Sequence, residues 1–335
     1  MNAFNTFFNL QRFADNVVDS LNKTTSAGLS EEMKTYYSDY IIDNAEPELV
    51  HAQFGQKRTI PKNGGKTIEF RKYKPYDAAG KLTEGVTPVG NTLNVSVVEA
   101  TLDQYGAYTA VTDVVDLTAI DNNLLEASKL HGAQAGLTLD GVVREVINGG
   151  TNKYYAGGVS GRVTPGISNL TVADIKMAVR MLKRMNAPKI KGDYVAIIHP
   201  DCAHDLTSDP AWIEAHKYAS PEEIYTGEIG KIAGVRFIES SEAKIFFGQG
   251  PSKDDTHMAE NNLNCDIYST LIIGDNAYGS VDVAGGNLKH IFKGFGSGGT
   301  ADPLDQRAPT GWKAMQTAVR LVEENMVRIE SLASK

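Results

Sequence analysis

Cysteine is almost absent from this 335-residue chain: only Cys202 and Cys265 occur, far apart. Two such thiols cannot staple a disulfide framework, and free thiols in a reducing, cytoplasmic compartment are the expectation. Long apolar runs are missing as well. Nothing approaches the roughly 20 apolar residues that a membrane helix needs. The opening Met1–Ala14 has one arginine and scattered phenylalanines. It lacks the charged start, apolar middle and small-residue cleavage site of a secretory signal. Positive charge is in deficit: 33 Lys and Arg against 41 Asp and Glu leave a net charge of −8. That argues against a dedicated nucleic-acid binder, which carries a basic face, but leaves room for a local basic patch.

The usual catalytic fingerprints are also missing. Gly227-Glu228-Ile229-Gly230-Lys231-Ile232 lacks the spacing and final Ser/Thr of a phosphate-binding loop. Gly158-Val159-Ser160-Gly161 is one residue short of a nucleophile elbow. Gly294-Phe295-Gly296-Ser297-Gly298-Gly299 fits the dinucleotide fingerprint formally, yet no buried strand clearly precedes it. Thr300-Ala301-Asp302-Pro303 cannot open a helix behind it, so it reads as a glycine loop.

What the chain does have is a stretch of divided charge. From Lys57 to Lys81 there are eight basic residues and two acids; from Leu82 to Ser128 there are seven acids and no Lys or Arg. Ile68 and Phe70 alternate with Glu69 and Arg71, and Leu93, Val95 and Val97 alternate with Asn94 and Ser96. These patterns predict half-buried strands, with turn chemistry between them at Pro75–Gly80 and at Gly85, Pro88 and Gly90. Residues 57–113 therefore read as a long hairpin that could reach roughly 60 Å. It has too little apolar content for a core of its own, and two-stranded hairpins are marginal alone. It must lie on something else, and a second copy of the chain is the natural support. The basic run could instead hold phosphate backbone or match an acidic patch on a neighbour, where opposite charges set partner choice and register.

Elsewhere the period is helical. Met33, Tyr36, Tyr37, Tyr40 and Ile41 form one apolar stripe that serves as a surface helix or as an arm across a neighbour. Asp121 is a candidate cap for a helix running to Asn148, about 42 Å long if unbroken. Gly132, Gly136 and Gly141 lie within it, which predicts close packing of another backbone with a possible kink. Thr171-Val172-Ala173-Asp174 resembles a capping box ahead of an amphipathic helix. The continuous apolar Val195–Ile198 reads as a strand covered on both faces. Residues 170–283 form a compact α+β unit on this reading. Thr317, Val319 and Leu321, then Val327 and Ile329, predict extended chain near the end.

One cluster carries possible chemistry. His199, Asp201, Cys202, His204 and Asp205 put metal-ligand types just past the end of a buried strand, where ligands gather in α/β sheets. Their spacing matches no zinc pattern, and Asp201 serves equally as a helix cap. A metal-dependent enzyme using His199, Asp201, His204 and Asp205 is the alternative from a different class.

The order of parts is more specific than any one motif. An apolar-tipped N-terminal arm, a long charged hairpin, a long helix, a compact α+β unit and a returning C-terminal segment together resemble the major capsid proteins of tailed phages, with the Hong Kong 97-like fold. Phe8-Asn9-Leu10-Gln11-Arg12-Phe13-Ala14 is similar to the opening of such coat proteins. Gly230–Glu239 is similar to their strand entering the axial domain. Asp302–Arg307 through Gly311-Trp312-Lys313 resembles the C-terminal block of the branch named for the coat protein of phage N-four.

The resemblance implies an α+β capsid fold in five parts: an arm over 1–56, an extended hairpin loop over 57–113, a peripheral domain with a spine helix over 114–169, an axial domain over 170–283, and a return to the peripheral domain over 284–335. It implies an icosahedral shell of hexamers and pentamers around double-stranded DNA, located in the virion and assembled in the bacterial host cytoplasm. It implies no catalysis, no cofactor, no metal and no membrane. Expected partners are the chain itself, a portal, weakly held DNA and a separate scaffolding protein, because the residues before the hairpin are too few for a built-in scaffold. Expected interface residues are Lys62, Lys66, Arg71, Lys72 and Lys74 of the hairpin with Tyr36 and Tyr40 of the arm. An encapsulin-like compartment shell of the same fold is the neighbouring alternative.

Overall fold

The structure is a computed structural model. It describes residues 21–23, 50–74, 76–82, 84–85, 87, 90–118, 123–216, 230–260, 263–299 and 302–335. Tyr36 and Tyr40, the rest of the stripe over 33–41, and the cap at Asp121 lie outside the described residues.

In chain order the first strands are β1 (Leu21–Lys23), β2 (Gln56–Ile60), β3 (Thr67–Tyr73), β4 (Val95–Thr101) and β5 (Asp103–Thr112). Helices α1 (Asp113–Thr118) and α2 (Asn123–Asn148) follow, then β6 (Lys153–Tyr155), α3 (Val172–Arg184), β7 (Tyr194–Ile198), α4 (Pro200–Ser208) and α5 (Pro210–His216). The remaining strands are β8 (Lys231–Ile232), β9 (Val235–Glu239), β10 (Ile245–Phe246), β11 (Ile267–Ile273), β12 (Tyr278–Val283), β13 (Lys289–Phe292), β14 (Arg307–Arg320) and β15 (Met326–Ser331). Among the described residues, no helix is long and apolar enough to cross a membrane.

The chain forms two compact units. One comprises Met1–Glu48, Gln104–Thr138 and Gly286–Met315; the other Leu49–Asp103, Leu139–Gly285 and Gln316–Lys335. In the first, β5 lies beside β14, and β13 pairs antiparallel with β14 from Lys289↔Lys313 to Phe292↔Thr310. Two glycines permit the close approach of β5 and β14. A Cβ on Gly106 would stand 2.6 Å from the Trp312 carbonyl oxygen, and one on Gly311 would stand 2.5 Å from that of Ala107. Val111, Val115 and Leu124 make a small core with Phe292.

The second unit holds a seven-stranded sheet ordered β6-β15-β11-β7-β9-β8, with β10 also on β11. Every residue of β7, β11 and β15 is buried, as the continuous apolar run of β7 predicts. Helix α3 covers one face through Ile175, Ala178, Val179 and Leu182. Its start is the expected reciprocal cap: Asp174 N–H donates to Thr171 Oγ1 and Thr171 N–H donates to Asp174 Oδ2. In the same unit β12 pairs parallel with β2 and antiparallel with Gln316–Arg320 of β14.

Two readings need correction. First, the hairpin is shorter than residues 57–113: β3 and β4 pair with each other, over Thr67–Thr101. Ile60 and Leu102 are buried anchors, so β2 joins β12 instead of extending the hairpin. Second, α2 runs unbroken over Asn123–Asn148, and among the described residues a Cβ on Gly141 would meet only Arg144 Nη2, at 3.9 Å. The C-terminal strand β15 lies between β6 and β11, and its Val327 and Ile329 belong to the main core.

Candidate subunit interface

The hairpin has two unlike faces, fixed by register. Phe70 opposes Val98 and Ile68 opposes Ala100; these four face inward and join Ile60, Leu102 and Val281 or border them. Phe70 lies over Gly279, where an added Cβ would stand 3.0 Å from its ring. The pleat sends every second residue the other way. Thr67, Glu69, Arg71 and Tyr73 therefore share the outer face with Val95, Val97, Glu99 and Thr101, and all eight are exposed.

This reverses the expectation for the return strand. Val95 and Val97 alternate with polar residues and read as the buried side, yet they are 47% and 49% exposed. Pairing with Ile68 and Phe70 sets the phase, and a slip of one residue exchanges the faces. Tyr73 stands directly opposite Val95 and is 61% exposed. The outer face thus presents an apolar patch of Tyr73, Val95 and Val97, and opposite each other on it stand two like charges, Glu69 and Glu99.

The predicted cations all lie in solvent. Lys62, Lys66, Arg71, Lys72 and Lys74 are exposed. Lys66 Nζ lies 3.2 Å from Asp103, Arg71 lies 3.5 Å from Glu69, and Lys72 Nζ lies 3.5 Å from Glu324. So the basic strand meets some acids of its own chain, but at exposed positions where such pairs contribute little.

The cluster after β7 has structural duties. His199 caps α4, its Nδ1 accepting from the Asp201 N–H at 3.2 Å, and burial lowers its pKa. Asp201 Oδ2 accepts from the Tyr268 hydroxyl at 2.8 Å. Burial, and after it Asp201, pushes that phenol far up. The Cys202 thiol is pushed up to about 12 by burial. Asp205 holds the C-terminal segment by accepting from the Ser334 N–H at 2.9 Å and from its hydroxyl. His204 is 77% exposed and its Nδ1 stands 3.8 Å from Asp205. Among the described residues His199, Asp201, Cys202, His204 and Asp205 do not form a metal-ligand group.

Residues 96–262 match the model of a family described as phage capsid protein. No curated protein matches the chain. The fold resembles several solved structures. The capsid of Ralstonia phage GP4 aligns at 15% identity and a TM-score of 0.64, covering 84% of this chain and 88% of that one. The capsid asymmetric unit of cyanophage Pam1 aligns at 13% identity and a TM-score of 0.63, covering 92% and 95%. A virus-like particle from Pyrococcus furiosus aligns at 12% identity and a TM-score of 0.51, covering 89% and 99%.

Proposed function

We infer that this chain is a major capsid protein of the tailed-phage type, built on the Hong Kong 97-like fold. It is a structural protein of the virion, and copies of it assemble into the icosahedral shell that encloses a double-stranded DNA genome. The phage family match favours this over a cellular compartment shell, and the structural duties of His199, Asp201 and Asp205 give no support to a metal-dependent enzyme.

In the finer reading, the β3–β4 hairpin lies over an adjacent subunit in hexamers and pentamers. The observation that carries it is the outer face: Tyr73, Val95 and Val97 bare beside the opposed Glu69 and Glu99. Like charges directly opposite each other destabilise a sheet pair. A partner offering apolar surface and a cation would cover the first and neutralise the second. Residues 114–169 and 284–315 fit a peripheral domain, and 170–283 with β15 an axial domain. Assembly proceeds in the host cytoplasm with a separate scaffolding protein and a portal. The net charge of −8 suits a container that holds packaged DNA only weakly.

Electron microscopy of the chain co-expressed with its scaffolding protein tests this. Closed, uniform particles are expected; soluble monomers alone would overturn the reading.

A further inference from the structure

Between β10 and β11 the described residues, 247–260 and 263–266, form no strand beyond isolated bridges. Loops of that length inside a compact unit are uncommon and tend to be functional. This one is folded back on itself. Gly250 N–H donates to the Cys265 carbonyl, Cys265 N–H to that of Pro251, and Lys253 N–H to that of Leu263. The C-terminal residues run alongside it: Met258 N–H donates to the Ala333 carbonyl and Lys335 N–H to that of Thr256.

This doubling brings three side chains of different ligand type together. The ligand atoms of Asp254, His257 and Cys265 all lie within 4.8 Å of one another. His257 Nδ1 is 2.6 Å from Asp254 Oδ2. Cys265 is fully buried, and its thiol makes a long contact, 3.7 Å, to the Ser252 carbonyl. Asp254, by contrast, is exposed, so the cluster is dry on the sulfur side and open on the carboxylate side.

We propose that Asp254, His257 and Cys265 form a site for a zinc-class divalent cation that pins the two limbs of this doubled loop to each other. Thiolate, imidazole and carboxylate is a donor set for zinc, with bonds of about 2.0–2.3 Å. A tetrahedral centre with such bonds sets its ligand atoms about 3.4–3.7 Å apart. The Asp254–His257 pair, at 2.6 Å, is closer than that, and all three ligand atoms lie within 4.8 Å, so small rotations of Asp254 and His257 admit the ion. The thiol gives up its proton on binding, as a metal-bound cysteine does. Water fills the fourth position from the exposed side. Sulfur and nitrogen ligands select against magnesium and calcium, which take oxygen. The site is complete in one chain and does not depend on the shell reading.

The test uses the full chain purified without chelator, alongside Cys265→Ser, His257→Asn and Asp254→Asn. Elemental analysis is expected to find close to one zinc per wild-type chain and a loss of at least tenfold in Cys265→Ser and His257→Asn. Cobalt added to the metal-free wild type is expected to give a thiolate-to-cobalt charge-transfer band that Cys265→Ser lacks, while circular dichroism shows the variant folded. Zinc is expected to raise the melting temperature of the wild type and leave that of Cys265→Ser unchanged. Wild-type chain that neither carries zinc nor gives the thiolate band with cobalt overturns the proposal. So does a Cys265→Ser variant that binds cobalt as the wild type does.

Discussion

Glu69 and Glu99 stand directly opposite one another across the β3–β4 hairpin, on its exposed face. In one chain alone this costs on the order of 0.2–1 kcal/mol relative to a neutral pair. Arg71, 3.5 Å from Glu69, offsets part of it. Glu99→Gln is therefore expected to leave the free subunit as stable as before or slightly more so, while lowering particle yield several-fold by removing a carboxylate of the proposed interface. Thermal melting of the subunit and sedimentation of the particles read the two effects. A variant that assembles as the wild type does would show that the outer face is solvent in the shell.

The same hairpin carries exposed cations. Reversing Lys66, Arg71 and Lys72 together breaks only exposed pairs, to Asp103, Glu69 and Glu324, each worth about 0–1 kcal/mol. The triple Glu variant is expected to fold with a modest loss of stability yet form few closed particles, as counted by electron microscopy. Normal particle yield would remove the hairpin cations from the interface.

Much of this was legible in the sequence where the determinants are local. Thr171 and Asp174 are three residues apart and make their cap; Val195–Ile198 is uniformly apolar and is uniformly buried. What sequence could not supply is pairing between distant segments. Nothing in Gln56–Ile60 announces a parallel partner in Gly279–Val283. Nothing in Val95–Val97 says that Phe70 will fix the phase and leave them bare. Alternation in Met326–Ile329 suggests a half-exposed strand, yet both faces are covered and Arg328 and Glu330 are buried by answering each other. The cluster of Asp254, His257 and Cys265 is not legible in the sequence, because its spacing is irregular and the loop's own hydrogen bonds bring it together.

Glu330 is the buried charge on which β15 depends. It is fully buried, with Oε1 at 2.9 Å from both Arg162 Nη2 and Arg328 Nε. Removing one partner of a buried ionic group typically costs about 3–5 kcal/mol, because the charges left behind have no water. Glu330→Ala is expected to destabilise the chain by that order in urea unfolding. Double replacement of Glu330 and Arg328 by apolar residues is expected to recover part of the loss. A cost below about 1 kcal/mol would mean that Arg162 and Arg328 reach solvent without it.

His290 makes the stability of the chain depend on acid. Its Nε2 lies 2.8 Å from Thr310 Oγ1 on the neighbouring strand. Burial, and after it the nearby His131, pushes its pKa down to about 4. An unfolded histidine takes a proton near pH 6.5, so between these values the unfolded chain binds a proton that the folded chain refuses. The stabilisation is fully present above about pH 6.5 and is lost as pH falls through that window towards about 4. His290→Gln keeps a polar partner for Thr310 and has no proton to gain. Its unfolding free energy is therefore expected to fall less steeply than that of the wild type across the same window, as measured by chemical denaturation at a series of pH values. Parallel slopes for the two proteins would place the acid sensitivity in other groups.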